Sequence, residues 1–194
     1  MSNSASVLTM VDFMNFNEAQ YCAGQVLVSL HFGRRFTKII LGQDGALILS
    51  EQDWGKPSKE TARIALAGPG VDLKIAIVED EDIDTVPSMM VTWIADVREN
   101  RGYANKLIHA VGFLAEAAIW CLAFVEANCV LVDEVAAMLV RNGGRSSYQE
   151  LAPLFSGRTT DVTDAMIEAA GMEFIGSLNA LDLVEEAIRK SPIL

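Results

Sequence analysis

Two histidines and three cysteines are all that this chain of 194 residues offers among the side chains that most often bind transition metals or supply a nucleophile and its base. A histidine-based triad or zinc cluster would have to be built from His31 and His109, and Cys22, Cys121 and Cys129 show neither paired CxxC spacing nor the density of a disulfide scaffold. The thiols are expected to be reduced and packed as small hydrophobes. Long apolar runs are missing too: none reaches the roughly 18 uncharged residues of a spanning helix. The opening MSNSASVLTM lacks the basic region of a secretion signal. A cytoplasmic protein without membrane contact is therefore expected. Cations are scarce, with 15 Lys+Arg against 26 Asp+Glu and a net charge of −11, which argues against direct binding of a nucleic-acid backbone. No GxxxxGK or GxGxxG pattern is present, and the Gly-rich AGPG contains a proline that removes a backbone donor, so no nucleotide cofactor is expected.

What is abundant is apolar residues and carboxylates. At 51% hydrophobic, the chain can bury a sizeable core. EDEDID places five carboxylates, Glu79, Asp80, Glu81, Asp82 and Asp84, in six residues before Pro87. Such a run is either a solvated loop or a binding patch for a basic partner or a cation. The apolar content also makes a homodimer a reasonable expectation, unless the C-terminal helices cover the apolar faces.

The patterning predicts an α+β fold that is mainly helical. A polar lead containing VDFMNF precedes a helix capped by Asn17, running through Leu30 and stopped by Gly33. Phe36–Leu41 and Ala46–Ser50 read as strands around GQDG, whose Asp-Gly pair signals a hairpin. Lys56-Pro57-Ser58 opens a second helix, with Gly68-Pro69-Gly70 expected to end it. Met89–Asn100 and a long Tyr103–Cys129 stretch have helical periodicity, as does Val132–Val140, which stops at Asn142-Gly143-Gly144. TTDVTDAMIEAAG and SLNALDLVEEAIRK read as amphipathic helices with Thr, Asp and Ser caps. The expected division is an α+β domain over residues 1–142 and a helical extension over 143–194 packed on it, the two together forming either one domain or a domain with an appendage.

The order of helix, hairpin and Ala/Gly-rich helix resembles the zinc metallopeptidase domain of FtsH type, in particular its short soluble relatives without an ATPase module. YCAGQVLVSLHFG aligns without gaps on that family's HEAGH helix, and ETARIALAGPGVD on its second helix, in the correct order. The likeness covers Asn17 to about Val140. It implies a helix presenting two zinc-binding histidines one turn apart, with a glutamate between them as general base. In this register those positions hold Tyr21, Cys22 and Gln25. A register one turn earlier keeps Glu18 as the base and still replaces both histidines, with Asn17 and Tyr21. The family's third, acidic ligand falls nearest Asp84. A phenol and a carboxamide are poor zinc ligands beside imidazole. A structural zinc on Cys22, His31 and an aspartate is disfavoured, because nine residues along one helix separate the first two.

The resemblance therefore implies a metallopeptidase-like protein with a vestigial site at Tyr21, Cys22, Gln25 and Asp84, no catalytic residue and no metal or other cofactor. Its expected role is to bind a protein with a basic surface through Glu79, Asp80, Glu81, Asp82 and Asp84, in the manner of the small acidic inhibitors encoded by phages or mobile elements. The strand edge near Ala46–Ser50 is a second candidate receptor, for an extended polypeptide. The competing expectation is an active metal-dependent peptidase or hydrolase with unusual ligands.

Overall fold

The computed structural model describes residues 10–42, 45–50, 56–78, 110–174 and a few positions between 182 and 190. The acidic run Glu79–Asp84, the Met89–Asn100 segment, His109 and most of the SLNALDLVEEAIRK stretch lie outside the described residues. The described chain is mainly helical with one small antiparallel sheet, the expected α+β class.

Helix α1 spans Met10–His31. It starts earlier than expected: residues 10–16 contain neither Gly nor Pro, so nothing interrupts the helix before Asn17, which lies within it. Its end is as the sequence predicts. Gly33 takes φ of +69°, its N–H bonds the Leu30 carbonyl at 2.9 Å and the Arg34 N–H bonds that of Ser29 at 2.9 Å, a glycine-centred cap that turns the chain into the sheet.

Strands β1 (Phe36–Gly42) and β2 (Gly45–Ser50) pair antiparallel, with Gly42 opposite Gly45. Helix α2 spans Lys59–Val78. Ser58 and Thr61 start it reciprocally, the Thr61 hydroxyl accepting from the Ser58 N–H at 2.9 Å and the Ser58 hydroxyl from the Thr61 N–H at 3.2 Å. The expected stop at Gly68-Pro69-Gly70 is corrected, because α2 runs through it. The glycines serve packing there. A Cβ on Gly68 would stand 2.4 Å from the Tyr21 ring, and one on Gly70 would stand 3.0 Å from Cys121 Cβ. Close backbone approach on both sides holds the tripeptide helical despite the donor that Pro69 lacks.

The expected Tyr103–Cys129 helix is also corrected. Among the described residues a turn at 110–112, with Gly112 at φ +86°, precedes α3 (Leu114–Ala127). The chain then bends by 81° at Asn128 into α4 (Cys129–Arg141). Apolar periodicity continues across both breaks and conceals them. Asn128 is 4% exposed and fastens the bend: its amide donates to the Phe124 and Thr160 carbonyls at 2.8 and 3.1 Å and accepts from the Thr160 N–H at 2.7 Å.

Gly143 and Gly144 close α4 with the same kind of cap as Gly33, through bonds to the Val140 and Leu139 carbonyls. The chain passes directly into β3 (Arg145–Ser147), which pairs with β1 and completes the order β2-β1-β3. The segment after Gly144 thus opens with a strand of the same sheet rather than with a helix. Ser147 and Glu150 form a capping box for α5 (Tyr148–Phe155). Thr163 starts α6 (Asp164–Phe174), its hydroxyl accepting from the Met166 N–H at 3.3 Å. The core lies where α2 is held between α1 and α3, with α4 packed against α1.

Candidate functional site

The three motif positions on α1 are packed into the fold. Tyr21 lays its ring against Gly68 of α2, Cys22 is fully buried among the core aliphatics, and Gln25 is 4% exposed. The Ser29 hydroxyl donates to the Gln25 carbonyl at 2.7 Å, inside the helix itself. A Cβ on Gly24, between the two outer positions, would meet Val71 Cγ2 at 2.5 Å and the Ala67 carbonyl at 2.9 Å. The face that presents metal ligands in the resembling family is therefore in contact with α2. Among the described residues no three His, Cys, Asp or Glu side chains converge as a metal-binding group. Tyr21 and Gln25 do not suit zinc by donor chemistry, and Cys22, whose sulfur would, is fully buried in the fold with Gln25 beside it. Asp84 and the acidic partner patch at Glu79, Asp80, Glu81 and Asp82 fall outside the described residues. Glu18, the base of the second register, is half-buried on α1, and Asn17 beside it is exposed.

His31 stands at the C-terminal end of α1, six residues past Gln25. It packs among Phe32, Trp120 and Phe124, with ring centroids 5.0, 5.6 and 5.3 Å away, and its Nδ1 lies 3.8 Å from Asp161 Oδ1. Arg63 covers the Trp120 ring at 4.7 Å and reaches Glu116 at 3.1 Å. Lys59 and Arg63 together hold the Glu116 carboxyl below the usual carboxylate range. This cluster joins α1, α2 and α3 through stacking and contains one histidine.

None of the three cysteines is in a disulfide. Cys121 is buried and donates its S–H to the Arg63 carbonyl at 3.1 Å, and burial pushes its thiol far above the ordinary value. Such a thiol is an inert core residue. Cys129 is exposed at the start of α4. Burial on α2 lifts the Asp72 carboxyl from 3.8 to about 7.

A cavity of about 360 Å³ opens between α1, α2, α3 and α4. Phe16, Val71, Ile75, Val125 and Val132 form its walls. Asn17, Gln20, Lys74, Cys129 and Asp133 supply the polar groups, with Gln20 donating to Asp133 at 2.7 Å and Lys74 pairing with Glu126 at 3.4 Å. In the sequence the apolar walls carry only helical spacing, the same signal that marks ordinary core, and the polar residues carry no motif.

No single helix among the described residues is long and apolar enough to cross a membrane. No protein-family model, no curated protein and no solved structure matches the chain.

Proposed function

We propose that this chain is a non-catalytic, metallopeptidase-like binding module whose partner is a protein with a basic surface, and that it acts as an acidic inhibitor or regulator in the cytoplasm. The observation that carries the reading is the state of α1. Where the resembling family places two imidazoles and a carboxylate toward a cleft, this chain has a phenol packed on Gly68 and two buried residues, Cys22 and Gln25. Side chains of these types in place of two imidazoles supply no ligand pair on this helix for a metal that activates water. What remains for function is surface. The net charge of −11, with its densest stretch at Glu79–Asp84, favours a basic protein partner and speeds the encounter at low salt.

The test combines metal analysis with affinity capture. Purified protein is expected to hold no stoichiometric transition metal and to retain a basic protein from lysate. Replacing Glu79, Asp80, Glu81 and Asp82 with Lys is expected to abolish that retention, with the melting temperature read beside it to separate loss of binding from loss of fold. One zinc per chain together with peptide hydrolysis would overturn the reading.

A further inference from the structure

We infer that the cavity between α1, α2, α3 and α4 is a binding site for a small organic cation with an apolar body, its ammonium held by Asp133. The inference rests on the cavity alone and stands or falls independently of the protein-binding role.

Size and lining come first. About 360 Å³ is at the small end of the range for ligand pockets, roughly 300 to 1,000 Å³, and suits a single ring or a short aliphatic chain. Val71, Val125 and Val132 are at most 4% exposed and form the floor, with the half-buried Phe16 and Ile75 above them. Water against such walls finds few hydrogen-bond partners, so an apolar group that displaces it gains free energy.

Charge then selects the head group. Two ionised side chains line the cavity, Lys74 and Asp133. The Lys74 ammonium is neutralised by Glu126 at 3.4 Å. Asp133 accepts from the neutral Gln20 amide at 2.7 Å through Oδ1, and among the described residues no cation pairs with it. The uncompensated charge at the opening is therefore negative, on a protein whose net charge of −11 already attracts cations. Gln20 fixes the carboxylate in place and leaves Oδ2 to accept from an ammonium N–H, a charge-assisted bond stronger than a neutral one. Cys129 lies one helical turn before Asp133 on α4 and lines the same cavity.

That thiol provides the measurement. Cys129 is exposed while Cys22 and Cys121 are buried, so alkylation of the folded full-length chain by iodoacetamide, followed by mass spectrometry, reports on the cavity and carries two internal controls. 2-Phenylethylamine is expected to slow Cys129 alkylation saturably, and 3-phenylpropanoate, with the same body and a carboxylate head, is not. Asp133→Asn is expected to weaken the amine's protection about tenfold without lowering the melting temperature. Gln20→Ala keeps the charge, so the amine still protects. Titration calorimetry with the same amine checks that slower alkylation reflects binding. Equal or stronger protection by the propanoate would make Lys74 the anchor and overturn the assignment. So would protection by neither probe, or full protection of the Asp133→Asn variant.

Discussion

Helices α1 and α2 meet in two different ways along their length. At Gly24 and Gly68 the backbones approach so closely that a Cβ on either would stand within 2.5 Å of a side-chain atom across the interface. Toward Phe16 and Ile75 the same helices line an open cavity of about 360 Å³. Small residues fix the crossing point, and helices that cross at an angle must diverge away from it. The tight region is thus the place where this helix pair is specified. The open region follows from it, and is where sequence is free to serve a ligand.

The sharpest way to break the contrast is to add volume at the crossing. Gly24→Ala puts a methyl 2.9 Å from the Ala67 carbonyl oxygen, a backbone atom that cannot rotate away. A loss of about 3 kcal/mol is expected in denaturant unfolding. Gly68→Ala meets the Tyr21 ring instead, which can swing, so a smaller loss of about 1–2 kcal/mol is expected, relieved when combined with Tyr21→Leu.

Asn128 governs the open region, because the 81° bend there directs α4 past α1. Asn128→Ala leaves the Thr160 N–H without its 2.7 Å acceptor, and about 2 kcal/mol of stability is expected to be lost. Hydrogen exchange should localise the opening to Thr160 and its neighbours.

These residues also show how far the sequence could be read. The hairpin was legible because Asp44-Gly45 and the β-branched and aliphatic residues on either side of it are local signals, and Gly33 and Gly143-Gly144 marked helix ends because a positive φ is a local demand. Gly68-Pro69-Gly70 misled because the same residues that end helices also permit close helix crossings, and only the partners Tyr21 and Cys121 decide between the two. The 81° bend was hidden because apolar residues continue through Cys129 to Val132. That Tyr21, Cys22 and Gln25 stand in YCAGQ was evident from the sequence. That Cys22 and Gln25 are buried depends on the helices that pack around α1. The cavity could not be anticipated, since it arises from helix divergence and has no motif of its own.

A pH titration separates burial from packing. Asp72 sits one residue past Val71, with its carboxyl lifted from 3.8 to about 7 by burial. The folded state holds this proton more tightly than the unfolded chain, so the group's contribution to stability is full below pH 3.8 and is lost as pH rises toward about 7. Asp72→Asn keeps the neutral shape at every pH. It is expected to stabilise the protein by about 1–2 kcal/mol at pH 8 and to have no effect near pH 3.5, measured as the difference in unfolding free energy against pH.

The smallest effects come from one substitution made at two places, the close contact of α2 with α3 and the cavity opening. Cys121→Ser, beside Gly70, exchanges a sulfur that fills its site and donates to the Arg63 carbonyl at 3.1 Å for a smaller, more polar hydroxyl. About 1 kcal/mol should be lost, the hydrogen bond surviving while the packing does not. Cys129→Ser changes an exposed side chain at the cavity opening, so its effect on stability should stay within about 0.5 kcal/mol. Equal losses at the two sites would mean that the open region is as tightly specified as the close contact of α2 with α3. A loss confined to Cys121 would place the constraint on sequence at the close helix contacts and leave the cavity lining free to vary.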